Sequence, residues 1–190
     1  MFEKRAVNRL LKNIIFLIII QLVVTGNAYA DDTHPTVEIT KDGYSCSGSV
    51  FKGRSPLYPG CPPMSNTLRL NNKFGSSIKV DKIGMSISLT RDNVHISNED
   101  IDGKDFLKYV KIKVEYKSFL KSLIKGTIYD GDLAGLIDGK DCSIKIGKDK
   151  FIELKYSITM DEQAMNNIEN ISSSIDFTIN ISEAELENIG

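Results

Sequence analysis

The best metal-ligand pattern in the chain is an acidic stretch in its middle. Asn98, Asp100 and Asp102 place side-chain oxygens at alternate positions, and Gly103 follows. Calcium takes about six to eight oxygen ligands, and its binding loops carry a glycine where the chain turns sharply. The twelfth position falls on Tyr109, which cannot replace the usual bidentate glutamate. The pattern is a weak indication of a calcium site at Asn98, Asp100 and Asp102. The favoured alternative is a solvated acidic loop between strands.

Catalytic motifs are absent from the sequence. Its two histidines, His34 and His95, are too few for most histidine-based zinc sites. No metalloprotease, serine-hydrolase or phosphate-loop motif occurs. A triad assembled in space on His34 or His95 is the less favoured alternative. We therefore predict a protein that is not an enzyme, with no catalytic and no cofactor-binding residues.

The cysteines are Cys46, Cys61 and Cys142. An odd number allows at most one internal disulfide and leaves one free thiol. A Cys46–Cys61 bridge would close a loop of about 15 residues and contribute about 3 kcal/mol in the chain-entropy model. One bridge is slightly favoured, with its partners left open; the alternative is three unpaired thiols.

Apolar and polar residues alternate along most of the chain, which predicts strands with one buried face. The longest runs are Val110–Tyr116, Ile152–Met160 and Ile175–Ile181. Within residues 77–90 the apolar positions change phase near Asp81-Lys82, which predicts a bulge or bend. About eight strands separated by turns predict an all-β, two-sheet antiparallel sandwich of jelly-roll type.

Helical signals are confined to connections between the predicted strands. We expect one turn at Asp105–Tyr109 capped by Asp105, and a short helix from Asp132 to Gly139. A further turn is expected at Asp161–Asn166. Residues 52–63 contain four of the five prolines and are predicted to form an extended loop.

The first 30 residues have the features of a secretory signal peptide. Basic residues precede an apolar run at Ile14–Val24, and Ala28-Tyr-Ala30 is a small-residue cleavage site. We predict cleavage after Ala30; an uncleaved anchor would need about 20 apolar residues. The processed chain is expected outside the cytoplasm, without membrane contact.

Charge argues against nucleic acid as a partner. The whole chain carries a net charge of −1, and the leader is basic, so the remainder is mildly acidic. Lys111, Lys113 and Lys117, with Lys121 and Lys125 beyond them, could form a basic stripe for an acidic polymer. Because they alternate with apolar residues, a solvated sheet face is favoured.

With this layout in view, the chain resembles the TasA/camelysin family of secreted fibre-forming and cell-surface proteins of Gram-positive bacteria. The resemblance covers most of residues 44–183 and rests on the order of short elements after an export signal. These elements are Leu57–Gly60 with Thr67–Asn72, Ile78–Leu89, Asp105-Phe-Leu with Val110–Tyr116, Gly131–Leu136, and Tyr156–Asn167 with Ser174–Ile181.

The resemblance implies a jelly-roll sandwich that self-associates into fibres of an extracellular or biofilm matrix, or that is held at the cell surface. Other matrix or cell-wall components are then candidate partners. Some relatives are described as metallo-endopeptidases, which is an alternative function. No zinc-binding motif transfers to this chain, so we expect no such activity.

The expected organisation is a signal peptide (1–30), an N-terminal segment that is a candidate donor strand (31–43), and a β-sandwich (44–190). Val37-Glu-Ile39 follows Pro35 near the new N-terminus. This strand can pair with the sheet edge of a neighbouring molecule or within its own sandwich, and both remain open.

A second functional hypothesis is an extracellular binding module for glycan or protein. Sandwich domains commonly bind through their loops. Tyr58 within Pro56–Pro63 is then the first surface to test.

Overall fold

The computed structural model describes residues 16–22, 34–51, 57–118, 121–164 and 166–184. Within these residues the strands are β1 (Phe16–Leu22), β2 (Thr36–Thr40), β3 (Gly43–Ser47), β4 (Met64–Asn72), β5 (Ile78–Arg91), β6 (Val94–Ile96), β7 (Val110–Ser118), β8 (Lys121–Asp132), β9 (Lys140–Ile146), β10 (Phe151–Met160) and β11 (Ser172–Glu183). The helices are α1 (Ile101–Tyr109), α2 (Ala134–Ile137) and a 3-10 turn (Asn166–Ile168).

The strands form two sheets. The five-stranded sheet has the order β1-β11-β5-β6, with β9 also paired to β5, and the six-stranded sheet has the order β3-β2-β4-β10-β7-β8. The protein is therefore an all-β sandwich with short helices in its connections, as predicted. One described pair departs from the antiparallel expectation, because β2 lies parallel to β4.

Strict alternation along the central strands builds the core. Every second residue is buried throughout β10 and, in β11, from Ile175 to Ile181. Tyr156 of the six-stranded sheet meets Phe177 of the five-stranded sheet, with 4.2 Å between ring centroids. Full burial of one large apolar side chain contributes about 1.5–3 kcal/mol. Facing pairs of this kind hold the two sheets together.

The Tyr156 hydroxyl lies in this core without a hydrogen-bond partner among the described groups. Burial raises the pKa of this phenol, which therefore stays neutral. Because an unsatisfied buried hydroxyl is costly, we expect Tyr156→Phe to raise the free energy of unfolding by about 1 kcal/mol. Urea unfolding measures this gain, with Tyr44→Phe as control on a half-exposed tyrosine. A loss of stability in Tyr156→Phe would contradict the assignment.

The phase change within β5 is a β-bulge, as predicted. Val80 pairs with Ile181 and Lys82 with Asn180, so Asp81 has no Cα partner on β11. The register towards β9 shifts at the same place. The extra residue changes which positions face the core in the second half of the strand, while β5 continues in one sheet.

Strand β3 differs from the expected burial pattern. The alternation of Tyr44, Cys46, Gly48 and Val50 in the sequence predicts a buried face, but every residue from Tyr44 to Ser47 is exposed. The reason is position, because β3 is the edge of the six-stranded sheet. The apolar alternation resumes at Val50, which is fully buried.

The helices begin at other residues than predicted. Helix α1 starts at Ile101, and Asp100, rather than Asp105, is its N-cap residue. Helix α2 is limited to Ala134–Ile137, where the side chain of Asp132 accepts a hydrogen bond from the Gly135 amide at 2.9 Å. The last expected turn is present, because the Ala164 amide donates to the Asp161 carbonyl at 3.1 Å, and the 3-10 turn follows it.

Three strands, β1, β6 and β8, lie where none was predicted. Strand β8 ends at Asp132, where a helix was expected to begin, and β1 falls inside the predicted signal peptide. The predicted cleavage site at Ala28–Ala30 and loop residues 52–56 lie outside the described residues. In the part of the chain that the structure describes, no helix is long and apolar enough to cross a membrane.

Candidate functional site

The acidic loop is the first candidate site, and an arginine occupies it. Arg91 at the end of β5 donates from Nη1 to Oδ2 of Asp102 at 2.7 Å, and from Nη2 to the carbonyl of Asn167. The amide of Asn167 donates to Oδ1 of Asp102 at 3.2 Å and to Oδ2 of Asp105 at 2.7 Å. This network joins β5, α1 and the 3-10 turn.

The three predicted calcium ligands have separate surroundings. Asp102 pairs with Arg91, whereas Oδ2 of Asp100 accepts the Ser97 amide at 3.1 Å. Asn98 makes no such contact with the residues that the structure describes. Among the described residues no three His, Cys, Asp or Glu side chains come together as a metal site. The calcium site stays a prediction, and the ion pair gives Asp102 a structural role instead.

The ion pair makes a pH-dependent contribution to stability. The hydrogen bond from Arg91, with a smaller contribution from Asn167, lowers the pKa of Asp102. A lowered folded-state pKa means that the stabilisation is present above the ordinary carboxyl pKa of about 3.9 and is lost as the pH falls through the folded value. We expect Asp102→Asn to lower the urea midpoint at pH 7 and to approach the wild type near pH 3.

The control for this prediction is Asp92→Asn, which changes an exposed turn carboxylate near the same strand end. Its urea midpoint should match the wild type at both pH values. A constant difference between Asp102→Asn and the wild type from pH 7 to pH 3 would show that the charge of Asp102 contributes nothing.

An open surface pocket of about 550 Å³, here called the acidic hollow, lies beside the network of Arg91, Asp102 and Asn167. Its lining is acidic and contains His95, Ile96, Glu99, Asp100, Ile101 and Asp102. His95 is exposed on the short strand β6, and the side chain of Ile101 is 77% exposed. The hollow thus combines carboxylates with an exposed apolar side chain at the surface.

The three cysteines are free thiols, so the slightly favoured disulfide is absent. They are kept apart by the fold. Cys46 is exposed on edge strand β3, Cys61 is buried before β4 with its sulfur 3.9 Å from the Thr159 hydroxyl, and Cys142 donates to the Val80 carbonyl at 3.5 Å. They lie on β3, before β4 and on β9. Neither their spacing in the sequence nor their odd number could show that the fold keeps them apart.

The environments of the two less exposed thiols differ. Burial, followed by the charges of Asp81 and Asp141, raises the pKa of Cys142 to about 11. That thiol is protonated at neutral pH and therefore a poor nucleophile. Burial also acts on Cys61, but hydrogen bonds, first with the backbone at Tyr58, outweigh it and lower the pKa.

The lysines of β7 are held within a mixed-charge face. Nζ of Lys113 lies 3.4 Å from Asp130 and 3.7 Å from Glu115, and Lys111 donates to the Lys108 carbonyl at 2.7 Å. Neighbouring carboxylates therefore offset the basic stripe. The arrangement fits the solvated sheet face better than a surface for an acidic polymer.

The second candidate site is the hairpin β2–β3 at the edge of the six-stranded sheet. A parallel ladder of four residue pairs, Thr36–Ile39 with Arg69–Asn72, joins it to β4. The backbone amides of Arg69 and Lys73 donate to the carbonyls of Pro35 and Ile39 at 2.9 and 2.8 Å. Val37 and Ile39 are buried in their own sandwich. In this chain the candidate donor strand thus pairs intramolecularly.

Comparison with known proteins finds no matching family model and no matching curated protein.

Proposed function

We propose that the protein is a secreted, non-enzymatic structural protein that assembles into extracellular-matrix fibres, or on the cell surface, by exchange of its N-terminal strand. The observation that carries the proposal is the short parallel ladder of the β2–β3 hairpin. The resemblance of residues 44–183 to the TasA/camelysin family supports it from the sequence. The predicted signal peptide supports a location of the processed chain outside the cell.

The hairpin is suited to exchange because the connection from β3 to β4 is long. The turn at Lys41-Asp42 couples β2 to β3, so they move as a unit. Residues 48–63 then connect β3 to β4, a length that extends to about 50 Å. The hairpin can therefore reach β4 of a neighbouring molecule and remake the same contacts there.

The hairpin makes contacts of nearly the same energy in its own molecule and in a neighbouring molecule. Val37 and Ile39 enter an equivalent core, and the register of β2 on β4 is kept, so the hairpin exchanges one set of contacts for another. Assembly is then favoured at high protein concentration. Each molecule gives one hairpin and receives one, which produces a head-to-tail chain.

Cysteine cross-linking tests the exchange directly. Glu38 of β2 lies opposite Asn71 of β4. We place cysteines at these two positions in a chain without residues 1–30, with Cys46, Cys61 and Cys142 replaced by alanine. Oxidation of the dilute monomer should give an internal bridge. Oxidation of the assembled protein should give a ladder of covalent oligomers on a denaturing gel.

The matched control places cysteines at Thr36 and Ser47, which face each other within the hairpin. That bridge should remain intramolecular in both states, because the hairpin moves as a unit. Fibres whose Glu38–Asn71 bridges are all internal would reject strand exchange. Absence of concentration-dependent sedimentation and of fibres in negative-stain images would reject the structural function itself.

A second candidate is a binding module for glycan or protein, favoured by the exposed Tyr58, 54% of which is accessible, and by the acidic hollow. Glycan-array and pull-down binding that Tyr58→Ala abolishes, with sedimentation unchanged, would support this function. A camelysin-like endopeptidase predicts chelator-sensitive casein cleavage by the purified protein.

A further inference from the structure

Three short turns lie together at one end of the sandwich. Residues 41–42 join β2 to β3, residues 73–77 join β4 to β5, and residues 147–150 join β9 to β10. Strand β4 has β2 on one side and β10 on the other. Because β2 runs parallel to β4 and β10 runs antiparallel to it, the end of β2, the end of β4 and the start of β10 are neighbours.

The three turns are basic. They contain four lysines and two aspartates, which leaves a net charge of +2. All six side chains are exposed: Lys41, Asp42, Lys73, Lys148, Asp149 and Lys150. Of these lysines, Lys41, Lys73 and Lys148 form no ion pair with any residue that the structure describes. Their charges are therefore available to a partner.

The connections at the opposite end of the sandwich have the opposite charge. Residues 92–93, 97–100 and 161–171 contain six carboxylates and no lysine or arginine. The sandwich thus has a basic and an acidic end, although the whole chain carries a net charge of only −1. A charge distribution of this kind attracts a polyanion to one end and repels it from the other.

Hydrogen bonds hold the backbone of the basic turns around Asn72. The Lys73 amide donates to the Ile39 carbonyl at 2.8 Å, which fastens the second turn to the end of β2. The Asn72 amide donates to the Lys150 carbonyl at 2.9 Å, and the Asp149 amide donates to the Asn72 carbonyl at 3.1 Å. A surface built on a fixed backbone loses little conformational entropy when it binds a partner.

The lysines follow one another across the ends of the strands. Neighbouring strands are about 4.8 Å apart, so the turns at their ends repeat at about this distance. Lys41 reaches over the next turn, because a Cβ atom on Gly75 would lie 3.2 Å from its Cε and 3.7 Å from its Nζ. A row of single positive charges matches a linear polymer that carries one negative charge in each repeat.

The residue types in these turns favour phosphate as the negative group. Lysine binds phosphate as a point charge with three N–H donors, whereas arginine is the usual partner where two parallel hydrogen bonds hold a planar carboxylate. The three turns contain no arginine. Their one aromatic residue, Phe74, is half-buried and packs against the core, so these turns offer no ring on which a nucleic-acid base could stack.

We propose that this basic end, defined by Lys41, Lys73, Lys148 and Lys150, binds a linear phosphodiester polymer without bases, of the poly(glycerol phosphate) type. The acidic end is turned away from the polymer, so the bound sandwich has one orientation. This inference goes beyond the proposed function, because a single molecule binds the polymer without exchanging its hairpin.

Isothermal titration of the full chain with synthetic poly(glycerol phosphate) at several salt concentrations tests the proposal. Lys41→Gln with Lys73→Gln and Lys148→Gln should weaken binding at least about tenfold at low salt. The slope of log K against log salt concentration should decrease by about two, because each phosphate contact to a single strand contributes about 0.7. Absence of binding by the wild type would overturn the proposal.

The matched control removes three exposed lysines outside the three turns. Lys104→Gln with Lys108→Gln and Lys155→Gln changes the net charge by the same amount. Its affinity should stay within about twofold of the wild type, with the same salt slope. Every variant carries the same leader, so the basic residues of the leader contribute equally. Equal losses in the two triple variants would overturn the proposal, because net charge alone would then explain binding.

Two other polymers test the chemistry of the partner. Poly-glutamate presents carboxylates in place of phosphates, and single-stranded oligothymidylate adds bases to a phosphodiester chain. The wild type should bind poly(glycerol phosphate) more tightly than either. Tighter binding of poly-glutamate would overturn the choice of phosphate, and tighter binding of oligothymidylate would overturn the choice of a polymer without bases.

The protein concentration separates this proposal from the proposed function. The titrations are made where sedimentation velocity shows a monomer. Polymer binding by the monomer supports the proposal even if no fibres form at any concentration. Fibre formation by a wild type that does not bind the polymer would overturn the proposal and leave the structural function in place.

Discussion

Replacement of Asn72 by alanine is expected to lower the free energy of unfolding by about 3 kcal/mol. Asn72 is a fully buried polar residue at the end of β4. Its side-chain amide donates to the carbonyls of Ser76, Ile146 and Gly147 at 2.8–3.0 Å, and its side-chain oxygen accepts the Phe74 amide at 2.9 Å. Alanine removes all four hydrogen bonds at once.

The cost is large because the partners remain buried or partly buried. A backbone group that loses its partner away from water costs about 1–3 kcal/mol, more than the net gain of making one hydrogen bond. The Asn72 side chain also connects the turn after β4 to the end of β9 and to Gly147 in the turn that follows it. Its loss therefore loosens both turns of the sandwich at this end.

Urea unfolding at pH 7 measures the effect. The control is Asn71→Ala, which removes the same amide from the preceding, partly exposed residue and should change stability by less than about 0.5 kcal/mol. Asn72→Asp keeps the accepting oxygen but sets a charge among three carbonyls, so it should be at least as destabilising as alanine. Equal stability of Asn72→Ala and Asn71→Ala would contradict the bonded network.

The core strands could be predicted because each has one face in water. In β10 and β11 the alternation in the sequence is the alternation of burial in the structure. The bulge at Asp81 could be predicted for the same reason, since an inserted residue changes the phase of the buried positions. Asn72 ends one of the sequence elements that carry the resemblance, Thr67–Asn72, but two of its hydrogen bonds reach Ile146 and Gly147, which are distant in sequence.

Strand β8 could not be predicted because it lacks a constant phase. Its register towards β7 shifts twice, near Glu115 and near Ser118, and Gly126 interrupts the pattern opposite Tyr116. Strand β3 was misjudged because its burial depends on sheet order, which local alternation does not contain. Both errors concern strands at the edges of the six-stranded sheet.

The acidic loop was predicted as a pattern of oxygens, but its charge partner was not. Arg91 comes from a strand and Asn167 from a turn far along the chain. No spacing relates either residue to Asp102. The ligand pattern alone therefore could not distinguish a site for a metal ion from a carboxylate paired with arginine.

Replacement of Gly103 by alanine is expected to destabilise the protein by about 2–3 kcal/mol, although helix propensity alone predicts a gain of up to about 1 kcal/mol. Gly103 is buried in the first turn of α1. A Cβ atom there would overlap the carbonyl oxygen of Ser97 and lie 3.1 Å from the Cα of Asn98. Both obstacles are backbone, so no side-chain rotation relieves the overlap.

Two controls isolate the steric cause in urea unfolding. Lys104→Ala changes the exposed neighbour in the same helix and should alter stability by less than about 0.5 kcal/mol. Gly147→Ala adds a Cβ in ordinary contact, 3.5 Å from the Lys150 side chain. If Gly103→Ala is as stable as the wild type, the close approach of Ser97 to α1 is wrong.

The same variant distinguishes the two explanations of this glycine. Close packing of α1 against Ser97 requires Gly103 whether or not calcium is present, so the loss in Gly103→Ala should be the same with chelator and with excess calcium. A calcium loop requires Gly103 only when the ion is bound. A loss of stability that appears only on adding calcium, together with calcium stabilisation of the wild type but not of Asp102→Asn, would favour the metal site at Asn98, Asp100 and Asp102.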